Sequence, residues 1–448
     1  MGAAYDSQER HPAPRCLPGT RRQVLERIQT WVDAGGKGKS ILWVHGPAGA
    51  GKSAIAQTVA EKYAVRGELA ATFFFARSAA GRNALKHLFP TIAVQMAFSD
   101  PEKRQRLDKI LKNDPCIAER AMGSVDLVAA LFKKRSFLVP SSPFLVIIDG
   151  LDECQGHPDQ CRALEQVSHL VNVHHLPLRF LIVSRPESHL CEAFEEPNLA
   201  DITETLSLYG DLKAEADVFK YLLNEFSRIC DSKMHRDVLE HLPRPWPSES
   251  VIRRLVNNSG GYFIYASTVI KYVDEENFSP VERLDQVLNI SNSAVSPSES
   301  TPFAELDKLY LQILSSCPTS NHRTLRRILG FIINYPGADI FIIEALLRLS
   351  HGQVRLKLRG LRSLFLFSSG EYPSGYVGIQ SLHASFRDFL NNQQRSKDFY
   401  VDPEEGMYTD FRDAFSLGCN MLGIGVIGGA RHQKGLSRVL TVTFSSRY

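Results

Sequence analysis

The chain has 448 residues, room for two to four domains with cores of ordinary size. Hydrophobic residues make up 44% of it and charged residues 23%, a balance that predicts a soluble globular protein. The formal net charge of +3 is concentrated: Arg431, Lys434, Arg438 and Arg447 lie in an acid-free stretch after residue 425, the remainder is net −1, and no nucleic-acid-binding face is predicted.

In chain order, residues 1–15 are polar, lack the apolar core of a signal peptide, and are expected to be disordered. Thr20 is a suitable N-cap for a helix over 20–33, where Val24, Leu25, Ile28, Trp31 and Val32 share one face. Five short apolar runs follow at 40–45, 71–76, 144–149, 180–184 and 202–208. Helical patterns at 54–65, 85–97, 127–134 and 161–173 separate them. Strands this apolar, alternating with helices, predict an α/β fold: a parallel sheet covered by helices on both sides.

Between the first run and its helix stands Gly46-Pro47-Ala48-Gly49-Ala50-Gly51-Lys52-Ser53, which fits the G-x-x-x-x-G-K-[ST] phosphate loop. Glycines there let backbone N–H groups face a polyphosphate, and the helix that follows, through Ala54, adds the positive end of its dipole. Lys52 supplies a point charge for the β- and γ-phosphates, and Ser53 a hydroxyl for Mg²⁺. Gly38-Lys39-Ser40 is a decoy, because Asp33 stands where the first glycine belongs and the decoy precedes the strand.

The run Phe144-Leu-Val-Ile-Ile-Asp149-Gly-Leu-Asp152-Glu153 ends a buried strand on an acid. Asp149 is therefore the candidate acceptor for Mg²⁺-bound water, with Asp152 and Glu153 placed to orient or deprotonate an attacking water. Arg179-Phe-Leu-Ile-Val-Ser-Arg185-Pro186 ends a third strand, where Arg185 can meet a γ-phosphate or simply cap the strand.

Beyond residue 209 the pattern is nearly all helical. Segments 212–229 and 251–273 are amphipathic, Pro243-Arg-Pro-Trp-Pro247 breaks between them, and 291–302 is a Ser/Pro-rich linker. Helices at 303–317 and 323–333 follow. Shorter helices at 340–349 and 353–361, a strand at 364–367, a turn at 368–375, a return strand at 377–383 and a helix at 384–391 complete the outline of a winged helix. The most apolar long stretch, 331–347, is interrupted by Pro336, Gly337, Asp339 and Glu344, and 421–430 is too short to span a bilayer as a helix. Eight scattered cysteines without a C-x-x-C pair predict free thiols in a reducing compartment, so a cytoplasmic location is expected.

GPAGAGKS after a strand, LVIIDGLDE and FLIVSRPE together resemble the NACHT class of signal-transducing P-loop NTPases, specifically its large fungal group. Cys16-Leu-Pro-Gly-Thr-Arg21, Gly260-Gly-Tyr-Phe-Ile-Tyr-Ala266 and Leu382-His-Ala-Ser-Phe-Arg-Asp-Phe-Leu390 extend the resemblance over residues 16–395. It implies an NTPase core at 16–209, a helical domain at 210–290, a linker at 291–302 and a helical plus winged-helix domain at 303–395, with 396–448 an unassigned tail. It also implies that Gly46 to Ala54 bind phosphate, Ser53 and Asp149 hold Mg²⁺, Asp152 and Glu153 serve slow hydrolysis, Arg185 senses the γ-phosphate and His383 contacts the diphosphate. A lone histidine between a strand and an apolar helix is equally a structural residue. Many relatives outside the fungal group carry a base-packing proline in the helical region; Gly260 to Ala266 here offers aromatics and no proline, which leaves ATP or GTP open.

The function implied is a nucleotide-controlled switch in fungal self/non-self or innate-immunity-like signalling. It would oligomerise with nucleotide state and act on effector and sensor partners that the sequence does not identify. A continuously cycling NTPase and a truncated nucleotide-binding fragment are the alternatives; residues 425–448, with no core pattern beyond 439–444, suit a truncated end.

Overall fold

The computed structural model describes residues 2–34, 38–77, 79, 81–117, 123–132, 144–209, 213–290, 303–315, 317, 321–335, 338–369, 377–381 and 383–402. The linker at 291–302, the turn at 370–375 and the tail from 403 onward lie outside them.

Five strands, β1 (Ile41–His45), β2 (Leu69–Phe74), β3 (Phe144–Asp149), β4 (Leu178–Ser184) and β5 (Thr203–Ser207), form one sheet in the order β2-β3-β4-β1-β5. Every pairing is parallel. Because side chains alternate along a strand, the sheet feeds two cores. Leu42, Val44, Leu145, Ile147, Leu181 and Val183 pack on one face with the Arg22–Asp33 and Lys52–Val65 helices. Ile41, Trp43, Val146, Ile148, Phe180 and Ile182 pack on the other against the Leu88–Phe98 and His157–Asn172 helices. The expectation of strands without a wet face holds for β1, β3 and β4. It does not hold for β5, where Glu204 and Leu206 are partly exposed and Thr205 and Ser207 less buried still alternate with them, since β5 is an edge. A helix at Pro101–Asn113 escaped the periodicity reading.

The disorder expected for residues 1–15 is corrected. From Gly2 onward the segment lies along the β2 edge, where the Phe74 N–H donates to the Ala3 carbonyl and the Tyr5 N–H to Thr72 Oγ1. Ala3 and Ala4 are buried. Arg10 lies 3.4 Å over the Phe74 ring and donates to Gln57 Oε1 at 2.7 Å. A polar composition was misleading because the ordering comes from backbone bonds to a sheet edge that would otherwise be unpaired.

The amphipathic segment at 251–273 is also two helices rather than one, Glu249–Ser259 and Phe263–Val273. Gly260 and Gly261 between them have φ of +54° and +79°, a left-handed backbone that ends the first helix. With the Ala214–Asp231, Ala304–Ser315 and His322–Asn334 helices they enclose one continuous core, which runs on into a three-stranded antiparallel sheet. That sheet places Val377–Ser381 between Ala338–Asp339 and Phe365–Ser369. The Ala384–Leu390 helix follows, its Phe386 meeting the Tyr310 ring edge-on and its Phe389 ring tilted against it. Among the described residues no helix is long and apolar enough to cross a membrane, and the described cysteines are free.

Candidate functional site

β1 delivers the phosphate loop to the carboxyl edge of the sheet, where the Lys52–Val65 helix begins. The first N–H groups of a helix lack partners within it, so Lys52, Ser53 and Ala54 present donors at the positive end of the dipole. Gly49 is required by close approach as well as by its φ of +75°. A Cβ there would stand 2.1 Å from Ile264 Cγ2, and the Ile264 N–H donates to the Gly49 carbonyl at 3.3 Å. The Gly260-Gly261 break thus turns the start of the Phe263–Val273 helix onto the loop. Lys52 Nζ donates to the carbonyls of Gly46 and Pro47 at 2.9 and 2.8 Å. Burial lowers its pKa, with Asp152 opposing most strongly.

A cavity of about 580 Å³ opens above the loop. Ala48, Gly49, Gly51, Lys52, Ser53, Ala54, Asp149, Asp152, Glu153, Arg185 and His383 all line it, so the structure gathers these sequence candidates into one place. Gly46, Pro47 and Ala50 are not on its wall and form the backing of the loop. Eight basic side chains line the cavity against four carboxylates, an excess that suits a polyphosphate.

Asp149 ends β3 and is 4% exposed. The Ser53 hydroxyl hydrogen-bonds its carboxylate, and burial raises its pKa to about 6 against the pull of Ser53, Arg10 and Lys52. Asp149 Oδ1 is buried without a hydrogen-bond partner. An orphaned carboxylate oxygen beside a hydroxyl fits a Mg²⁺ ion that keeps most of its water and takes phosphate oxygens as ligands. Among the described residues no group of three or more His, Cys, Asp or Glu could hold a metal on its own.

The two acids after Asp149 have different environments. Asp152 accepts from the Arg185 N–H at 3.0 Å and pairs with Arg185 Nε at 3.4 Å, so both its oxygens are engaged. Glu153 Oε2 accepts from the Arg77 N–H at 3.2 Å, and burial, then the Asp152 charge, raises its pKa to about 7. A pKa near 7 gives Glu153 the proton affinity of a general base at neutral pH.

Arg185 does more than end β4. Its Nη1 lies 2.7 Å from Asp388 Oδ2 on the Ala384–Leu390 helix, an ion pair spanning 203 residues of sequence. Asp388 was not foreseen, since nothing in its local pattern announces a partner that far away. His383 caps the same helix: its Nδ1 accepts from the Ser385 N–H at 3.0 Å. The neutral ring therefore carries its proton on Nε2. Burial, with Arg185, Lys52 and Lys271 nearby, lowers its pKa to about 3, so it is uncharged at pH 7.

Leu17, Arg21, Tyr221 and Phe263 also line the cavity. Arg21 donates to the Ala50 carbonyl at 2.8 Å and lies 5.0 Å from the Phe263 ring centroid, while Tyr221 meets Phe263 edge-on.

Residues 19–185 match the family model of the nephrocystin 3 N-terminal region. The match spans the phosphate loop, Asp149, Asp152, Glu153 and Arg185 and stops before His383. The parallel sheet with its helical continuation is a P-loop NTPase fold. Among curated proteins none matches the chain. Solved structures similar to it include Aeropyrum pernix ORC1 in complex with DNA, at 13% identity over 87% of this chain and 94% of that one, TM-score 0.39. Cdc6p from Pyrobaculum aerophilum is similar at 11% identity over 91% and 96%, TM-score 0.39, and AMPPCP-bound DnaA from Aquifex aeolicus at 12% over 78% and 88%, TM-score 0.34. Scores at that level carry no argument about ligand or role.

Proposed function

We propose that the chain is a nucleotide-controlled signalling switch that binds ATP or GTP with Mg²⁺ and resets by slow hydrolysis to a closed diphosphate form. In this reading 16–209 is the NTPase unit, 210–290 a helical unit and 303–395 a winged-helix unit. Gly46 to Ala54 hold the phosphates and Ser53 and Asp149 position Mg²⁺, which when bound would draw charge from the phosphates. Fungal self/non-self or innate-immunity-like signalling, with nucleotide-dependent self-association, is the setting the motifs favour.

The Arg185–Asp388 ion pair carries the reading. A turnover enzyme has no need to tie the residue at its γ-phosphate position to a distant helix, whereas a switch needs two states with different nucleotide affinities. With the winged helix closed, Arg185 is shared between Asp152 and Asp388. A γ-phosphate arriving nearby competes for the same guanidinium, and His383 Nε2–H is free to donate to a diphosphate. Inverting a 1:99 population takes about 5.5 kcal/mol of differential binding, a sum that a γ-phosphate with its Mg²⁺ and these two contacts can supply.

Two variants test it. Asp388→Asn is expected to raise triphosphate affinity about tenfold with little change for diphosphate, because Arg185 is released from a partly desolvated charged partner. His383→Asn keeps a good N-cap while shortening the reach into the cavity. It should speed release of a fluorescent diphosphate by about 10- to 100-fold, the worth of ~1.5–3 kcal/mol for a hydrogen bond to a charged group, at an unchanged melting temperature. A lower melting temperature with normal release would make His383 a structural cap, and normal nucleotide preference in both variants would sink the switch.

A further inference from the structure

A second cavity of about 420 Å³ lies away from the phosphate loop. One wall comes from the segment after the Phe263–Val273 helix, with Phe278 and Arg283, and the other from the segment around the Gln353–Lys357 helix, with Leu356, Lys357 and Arg359. Its size is in the range of small-molecule sites, about 300–1,000 Å³.

Its charge is one-sided. Arg283, Lys357 and Arg359 line it, and no Asp or Glu does. Arg283 is 3% exposed and pairs with the equally buried Glu275 at 3.1 Å, which neutralises it. Its Nε remains buried without a hydrogen bond. Lys357 donates to a neutral acceptor, Asn321 Oδ1 at 2.7 Å, and among the described residues neither Lys357 nor Arg359 has a carboxylate partner. Among the described residues, these two positive charges on the wall therefore have no carboxylate paired with them.

The apolar part of the wall has its own character. Phe278 is 39% exposed and Leu356 58%, both large side chains at the cavity mouth. The Phe278 ring is held by the Arg283 guanidinium 3.7 Å away, which in turn lies 4.0 Å from the Tyr272 ring, so the flat surface beside the cations is fixed. A fixed aromatic face next to two unpaired cations recognises an organic molecule with an anionic head and an apolar body.

We propose that this cavity, between Phe278–Arg283 and Leu356–Arg359, is a binding site for a small organic anion, separate from the nucleotide cavity. A ligand there would touch both walls and so hold the helical segment against the winged-helix segment.

Phenyl phosphate is the probe, titrated calorimetrically into the full chain. The wild type should bind it at one site. Lys357→Gln/Arg359→Gln, which alters partly or fully exposed side chains and should keep the wild-type melting temperature, should bind at least about tenfold more weakly through loss of two charge-assisted contacts. Phe278→Ala removes the ring without touching charge, and should weaken phenyl phosphate while leaving inorganic phosphate unchanged. Phenol should bind far more weakly than phenyl phosphate. The proposal is overturned by an absence of wild-type binding, by equal affinity in the Lys357/Arg359 variant, or by phenol binding as tightly as phenyl phosphate. Equal affinity in that variant would place the probe on the phosphate loop instead.

Discussion

Replacing Lys52 with alanine is expected to weaken ATP and GTP binding by about a hundredfold or more, while the protein stays folded. In the structure the ammonium is directed back onto its own loop, donating to the Gly46 and Pro47 carbonyls. Burial lowers its pKa, so it is a desolvated cation that a phosphate would satisfy better than two carbonyls do. Alanine removes the charge from the centre of the loop, but the helix behind it keeps Ile55, Ala56, Val59 and Tyr63 buried in the core. A bound ligand at a hundred times its dissociation constant stabilises a fold by about 2.7 kcal/mol. Wild type should therefore show a melting shift with nucleotide that the variant lacks, and the two should melt alike without it. Equal shifts in both proteins would remove the phosphate-loop assignment.

Where the sequence was legible, one physical constraint acted on consecutive residues. β1, β3 and β4 are buried on both faces, so each carries an apolar run of at least four residues, and the polar residue that ends each run marks the sheet edge where the cavity lies. The phosphate loop is legible for the same reason, being eight consecutive residues shaped by one ligand class. The Pro101–Asn113 helix carried a readable signal in Asp100, whose carboxylate accepts from the Glu102 and Lys103 N–H groups ahead of a proline at the first turn. Few of its side chains are buried, and the apolar period was too weak to draw notice. Arg10 and Asp388 are different. Arg10 is held by the Phe74 ring and Gln57, and Asp388 by a residue 203 positions away at the end of a strand. Only tertiary structure specifies such contacts; Asp388 lines the cavity, and the Arg10 charge acts on Asp149. The His383 environment was half legible: the motif pointed to the residue, while its neutral state and Nε2 proton depend on Ser385 and on three cations brought in by the fold.

Glu153→Gln is expected to slow hydrolysis by about 10²- to 10⁴-fold, the usual worth of a general base, with triphosphate affinity kept. The amide preserves the acceptor for the Arg77 N–H at 3.2 Å, so the turn after β3 should hold its shape, but it cannot take a proton from water. Asp152→Asn should behave otherwise. That carboxylate is bound at both oxygens by Arg185, so its loss should loosen Arg185 and alter nucleotide preference together with rate. The wild-type pH profile gives an independent check with a definite sign. Burial raises the Glu153 pKa to about 7, and a base acts only when ionised, so the rate should climb between pH 6 and pH 8 and level off above. The residual rate of Glu153→Gln should lose that climb. Single-turnover hydrolysis at several pH values, run beside a triphosphate binding titration, measures both. A variant that hydrolyses at the wild-type rate, or keeps the wild-type pH dependence, would reduce Glu153 to a structural acid in a turn and return the base role to Asp152 or to water alone.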